Sequence, residues 1–167
     1  MRMYLQENGY INAYITLNNY DWYIETLFQE AIDKGIKVDL EKLKNFYVSV
    51  ISEGIEHHDQ LAITHIGRSP KHVLLLHEMD ITALFVGDLA DSLREEGWDI
   101  ISPENAYTDD IASYKTQKVL RYNPGRVGEI ALDKGQSSNL WHHTLDENYL
   151  RERFRTEVLG SEAGEDF

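Results

Sequence analysis

Lys71-His72-Val73-Leu74-Leu75-Leu76-His77-Glu78 is the stretch on which the fold reading turns. An unbroken apolar run, β-branched at its front, meets a histidine and a glutamate. A short run of this kind, bounded by polar residues, predicts a strand buried on both faces of a parallel sheet. In α/β folds, the position just past the carboxyl end of such a strand is where chemistry is placed. His77 is therefore the first candidate site residue. The competing reading is a histidine that merely ends a strand.

Working outward, Tyr10 to Leu17 is β-branched and aromatic and reads as an earlier strand. Asn18-Asn19-Tyr20-Asp21-Trp22 follows as a strand-to-helix loop, and Asp21 can cap a helix from Trp22 to Lys34. Its predicted buried stripe is Trp22, Tyr23, Leu27, Ala31 and Ile32. Asp39 caps a longer helix from Leu40 to about His65, closed by Gly67, with Gly54 in its middle as a place for close packing or a bend. After the central strand, Asp80 caps a helix from Ile81 to Glu96 that buries Leu84, Phe85, Leu89 and Leu93, with Gly97 as its C-terminal stop. Trp98 to Ile101 reads as a third strand, and Ser102-Pro103 opens a short helix. Residues 1–8 read as the last turns of a helix stopped by Gly9, 124–134 and 146–158 as helices, and 109–114 as loop. Strands alternating with helices predict an α/β fold with parallel strands and right-handed crossovers. Three strands leave two unpaired sheet edges, which predicts a homo-oligomer formed through them.

The 167 residues fit one domain. We divide them into a folded part, 1–159, and an acidic tail, 160–167, expected to be disordered. The net charge of −13 argues against nucleic acid and against anionic membrane surfaces, while leaving neutral or cationic ligands open. There are ten Tyr and three Trp, and Tyr suits the lining of a polar pocket as well as a core. With no Cys, disulfides and cysteine-based zinc sites are excluded. No run is long and apolar enough to span a bilayer. The N-terminus lacks the apolar stretch of a leader peptide, so the chain is cytoplasmic if Met1 is the natural start, and the compartment is otherwise unknown.

In a parallel sheet, the loop after the first strand and the end of the second share one edge, so Asp21 and His77 are expected to be neighbours. A carboxylate beside an imidazole favours its protonated form and fixes its tautomer, which suits a general acid. The alternative is that Asp21 caps its helix and does nothing else. Glu53, His57, His58 and Asp59 share the long helix at a spacing that suits either a metal or a solvated face. His142 and His143 are adjacent, so their side chains are expected to diverge rather than share a metal. His65 and His72 flank a loop without an evident partner. Gly125-Arg126-Val127-Gly128 lacks the lysine and preceding strand of a phosphate loop.

Asn19-Tyr20-Asp21-Trp22, His72-Val73-Leu74-Leu75-Leu76-His77-Glu78 and Gly97-Trp98-Asp99-Ile100-Ile101-Ser102-Pro103-Glu104-Asn105-Ala106-Tyr107 together resemble the C-terminal half of polysaccharide deacetylases, carbohydrate esterase family four. The likeness runs from about Met1 to Tyr107, and more loosely through 125–135. It implies a partial (β/α) barrel and a hydrolase that removes acetyl groups from N-acetylated amino sugars. It implies that Asp21 tunes His77, that His77 protonates the leaving amine, that Trp22 walls the pocket, and that Leu75 lines the acetyl site. The family also implies a divalent metal, zinc or cobalt. Its ligands, a strand ending Thr-Phe-Asp-Asp and a His-x-x-x-His pair, have no counterpart in this sequence. Arg68-Ser69-Pro70 falls after the Asp-Trp motif rather than before it, and Asn18 stands where many relatives carry Asp. The resemblance thus implies a start in mid-domain, no metal ligands and no cofactor in this chain, and no deacetylation by the chain alone. Two other readings stay open. One is a non-catalytic, self-associating carbohydrate-binding module; the other is a small α/β enzyme using its own histidines, such as His57 or His142, as metal ligands.

Overall fold

Asp39 starts the element on which the rest of the chain packs. Its carboxylate accepts hydrogen bonds from the backbone N–H groups of Glu41 and Lys42, and Gly67, at φ 85°, ends the helix. The computed structural model describes residues 2–10, 13–116, 118, 121–160 and 167. Its helices are α1 (Arg2–Glu7), α2 (Asp21–Asp33), α3 (Leu40–Ile66), α4 (Asp80–Glu95), α5 (Pro103–Ala106), α6 (Gly125–Asp133) and α7 (Glu147–Arg153). Short 3-10 turns cover Asp110–Ser113 and His143–Leu145, and a wider π turn, Phe154–Leu159, follows α7.

The apolar spacing of α3 becomes its packing. Leu43, Phe46, Tyr47, Val50, Ile51 and Ile55 are buried against α2, α4 and the C-terminal turns, in one cluster with Ile24, Leu27, Phe85, Leu89, Leu150 and Phe154. Further along, Leu61 and Ala62 meet Val127 and Ala131 of α6. Two predicted stripes are rotated. On α2 the buried set is Tyr23, Ile24, Leu27, Phe28 and Ala31, while Ile32 is exposed. On α4 it is Ile81, Phe85, Leu89 and Leu93, while Leu84 is exposed. Asp21 and Asp80 are the first residues of their helices rather than caps. The N-terminus of α4 is capped from outside: Glu25 of α2 accepts from the Ile81 N–H at 2.9 Å.

The α/β reading is corrected. Of the described residues 61 % are helical, and together they form no sheet and no barrel. Of the three predicted strands, two run side by side in parallel but share one isolated bridge, Leu17 with Leu74. Trp98–Ile101 pairs with neither, and Ile100 and Ile101 are exposed. Ile11 and Asn12, inside the first predicted strand, lie outside the described residues.

The reason is local. The Val73 carbonyl accepts from both Thr16 N–H and Leu17 N–H, and the Leu17 carbonyl accepts from Leu75 N–H. Beyond that, side chains take the groups a ladder needs. Thr16 Oγ1 accepts from Val73 N–H, the Asn19 amide donates to the Leu75 carbonyl, and Asp21 accepts from His77 N–H. With its polar groups already satisfied, the backbone gains nothing by extending the ladder. Residues 73–76 are consequently half-buried rather than buried on both faces. Val73, Leu74 and Leu76 line an apolar groove with Val86, Leu93 and Trp98. The sheet edges expected to drive self-association are absent among the described residues.

α6 docks on the same segment. Arg126 N–H donates to the Ile15 carbonyl at 2.8 Å, and a Cβ on Gly125 would lie 2.7 Å from the Thr16 carbonyl oxygen. The predicted disordered tail falls mostly on residues 161–166, which lie outside the described residues; Phe167 stacks on Phe154 at 5.4 Å between ring centroids.

Candidate active site

Asn19 builds the site, although its side chain carries no chemistry itself. Its Oδ1 accepts from the backbone N–H of Asp21 at 2.8 Å, a local Asx turn, while its Nδ2 donates to the Leu75 carbonyl. The amide thereby ties the start of α2 to the end of the 73–76 segment. The sequence places Asn19 in the loop before α2 without assigning it a role. The available signal was the Asn-x-Asp turn spacing before a helix.

Asp21 is fully buried. Its Oδ1 accepts from Trp22 N–H at 2.9 Å and pairs with His77 Nδ1 at 2.7 Å, while Oδ2 accepts from His77 N–H at 2.7 Å. One carboxylate thus grips a single residue at both backbone and ring. An ionised carboxylate only accepts, so Nδ1 carries the proton and Nε2 is left for solvent or ligand. The His77 side chain is 40 % exposed and Asp21 is 0 % exposed, so the imidazole is reachable while its orienting partner is not. The geometry is that of a histidine held for proton transfer. It arises without the sheet edge that predicted it.

Trp22 is half-buried between Tyr20, at 5.1 Å between ring centroids, and Tyr23, at 5.6 Å. Leu75 joins the site through its backbone. Leu75 also lines a separate polar cleft with Tyr122, Asn123 and Arg126. A second Asp–His pair lies nearby: His72 Nε2 is 3.0 Å from Asp59 Oδ1, and its Nδ1 is 3.0 Å from Thr16 Oγ1. That imidazole is closed off, its side chain 5 % exposed, and burial pushes its pKa down despite Asp59. His72 therefore braces the Thr16–Val73 crossing against α3.

The remaining candidates resolve individually. His58 is buried with Nδ1 2.7 Å from the Gly54 carbonyl, and Asp59 is buried too, so neither stands on a solvated face. Burial pushes the His58 pKa down to about 4. His65 finds a partner in Gln136, at 2.5 Å. Arg68 forms a two-pronged pair with Asp109, at 2.8 and 2.7 Å, and Asp109 also accepts from Lys71 N–H and Ile111 N–H. The Arg68-Ser69-Pro70 stretch is thus anchored structurally.

The two adjacent histidines do not diverge. His142 and His143 have ring centroids 3.7 Å apart, because the chain turns there into a 3-10 helix. With Glu53 they offer three ligand atoms within 4.8 Å of one another, the group among the described residues able to hold a metal ion. Around Asp21 and His77 the residues do not fit a metal: Asp21 is committed to three N–H donors, and no second imidazole or free carboxylate joins them among the described residues. No helix among the described residues is long and apolar enough to cross a membrane. No protein family, no curated protein and no solved structure matches the chain.

Proposed function

We propose that Asp21 and His77 are the general-acid half of a site for N-acetylated amino sugars, in a chain that is polysaccharide deacetylase-like. The grip of the buried Asp21 carboxylate on both His77 N–H and His77 Nδ1 carries this reading. Protonated at Nε2, the ring can deliver that proton to a departing amine nitrogen while Asp21 stabilises the imidazolium. Trp22 and Tyr20, packed together at the start of α2, supply aromatic surface for a sugar ring. The resemblance described from the sequence names the substrate class; the dyad names the chemistry.

An imidazole acid alone leaves the attacking water unactivated and the acetyl carbonyl unpolarised. The sequence motifs that supply those functions in the family are not in this chain. The expected result is therefore sugar binding without turnover. Acetate release from chitooligosaccharide, with and without added zinc or cobalt, is the test of activity, and clear metal-dependent turnover would refute the inactive reading. Titrating the same sugar while following tryptophan fluorescence tests binding. An unchanged signal, or a signal that survives Trp22→Phe, would refute the placement of the sugar.

A second reading, a self-associating carbohydrate-binding module without catalysis, is favoured by the aromatic group Tyr20, Trp22 and Tyr23. It expects a dimer in light scattering and sugar binding indifferent to His77→Ala. The acid-site reading expects that variant to weaken binding.

A further inference from the structure

We infer that Glu53, His142 and His143 form a site for a divalent transition metal, zinc foremost, that clamps the turn before α7 onto the middle of α3. The inference is independent of the Asp21–His77 reading.

The ligand atoms of these three residues all lie within 4.8 Å of one another. A point equidistant from three atoms at that limit is about 2.8 Å from each, against roughly 2.0–2.2 Å for zinc bonded to imidazole nitrogen or carboxylate oxygen. Each arm must close by well under 1 Å, about the reach of a small side-chain rotation. The His143 side chain is 55 % exposed and that of Glu53 37 % exposed, so both have room to adjust.

The surroundings prepare two of the three ligands. His142 Nδ1 lies 3.0 Å from Thr144 Oγ1, and Thr144 is buried. With Nδ1–H donating to that hydroxyl, Nε2 keeps its lone pair for a metal, the usual outer-shell arrangement for a ligating histidine. Thr144 in turn sits on the bare backbone of Gly54, its Oγ1 3.6 Å from where a Cβ would be, which brings the turn down beside Glu53. His143 Nε2 is 4.0 Å from Glu53 Oε2, and its ring stands edge-on to Tyr149 at 4.5 Å. His57 lines the same cleft, its ring centroid lies 5.1 Å from that of His142, and its buried Nε2 has no hydrogen-bond partner, which makes it a candidate fourth ligand.

Arg153 is the competing cation. Its Nη1 donates to both Glu53 oxygens, at 3.0 and 2.9 Å. It also holds Glu157, through Nε at 2.7 Å and Nη2 at 3.2 Å, so it keeps a carboxylate partner when Glu53 turns toward a metal. Two imidazoles and one carboxylate select zinc, copper or nickel over magnesium or calcium, which prefer all-oxygen shells. The net charge of −13 favours accumulation of any cation at the surface.

The test uses the full chain stripped of metal. Calorimetric titration with zinc chloride should show one equivalent bound, magnesium should not compete, and His143→Gln should weaken zinc at least about tenfold, the scale on which coordination shells act. His77→Ala should leave it unchanged. Long-range nitrogen–proton spectra of the unmutated chain should show zinc shifting the His142 and His143 imidazoles and sparing His77. Absence of one-equivalent binding, shifts centred on His77, or a folded His143→Gln chain that binds zinc as tightly as the parent would each overturn the assignment.

Discussion

Replacing Asp21 with Asn isolates the interaction on which the candidate site depends. The carboxylate accepts three hydrogen bonds from two residues, and the side chain is fully buried. An amide of the same shape has one accepting oxygen. If that oxygen takes the Oδ1 place, Trp22 N–H and His77 Nδ1–H keep their acceptor, but the NH2 group faces His77 N–H, donor against donor. If it takes the Oδ2 place, His77 N–H is satisfied, Trp22 N–H faces NH2, and the ring must move its proton to Nε2. Each orientation strands one buried backbone donor, at about 1–3 kcal/mol. Losing charge assistance from the surviving bonds adds about 1 kcal/mol. The total is about 2–4 kcal/mol. With a urea slope of about 2 kcal/mol per molar, the unfolding midpoint should fall by about 1–2 M. His77→Ala should cost less, because Asp21 retains both backbone N–H groups and the lost ring is 40 % exposed. Nitrogen-15 spectra of the imidazole should report the Nδ1–H tautomer in the parent chain, and its retention or loss in the Asn variant distinguishes the two amide orientations. A midpoint within about 0.3 M of the parent, or a parent imidazole carrying its proton on Nε2 alone, would refute the reasoning.

Three further outcomes follow from contacts away from the dyad. Arg68→Ala should cost about 1.5–3 kcal/mol in urea unfolding, since it removes a two-pronged bond to a carboxylate whose side chain is 4 % exposed. Arg68 also holds the Asp109 carboxyl well below the ordinary carboxylate range. That contribution is complete at neutral pH and is lost as acidification passes through the lowered value, so the variant should flatten the acid limb of the stability profile. His58 stays neutral in the fold down to about 4 because it is buried. The unfolded chain takes up that proton near pH 6.5, so stability should fall between about pH 6.5 and 4, and His58→Gln should remove that part of the slope in urea midpoints measured across the range. Gly125→Ala should destabilise by more than about 2 kcal/mol in thermal melts, because φ there is +69° and the new Cβ would lie 2.7 Å from the Thr16 carbonyl oxygen, with backbone on both sides of the clash. A near-neutral change would show that α6 does not need its close seat on residues 15–16.

Much of the helical framework is written in local terms. The Asp39 cap, Ser102 before Pro103 and the glycines that close α2, α3 and α4 act over a few residues, and the structure places them where spacing puts them. The α3 stripe from Leu43 to Ile55 was equally legible, since burial on a helix follows its period. The rotated stripes of α2 and α4 were not. Both helices are apolar over more than half a turn, and which edge faces inward depends on what they pack against. The apolar run 73–76 misled because β propensity reports fitness for a half-buried extended surface, whatever partner is available. The histidine pair 142–143 misled because divergence of adjacent side chains holds in regular structure and fails where the chain turns into a 3-10 helix.

The sequence by itself determined the main α-helices and where they stop, and marked Asp21 and His77 as residues able to pair. Those are properties of short stretches and of residue chemistry. Tertiary structure decided that the two extended segments meet at one bridge instead of a sheet, because Thr16, Asn19 and Asp21 satisfy the backbone groups a ladder would have used. It also decided that Glu53, on the middle of α3, stands beside His142 and His143 from a turn about ninety residues later. Such a meeting rests on how α3 packs against the chain before α7, which no local pattern encodes.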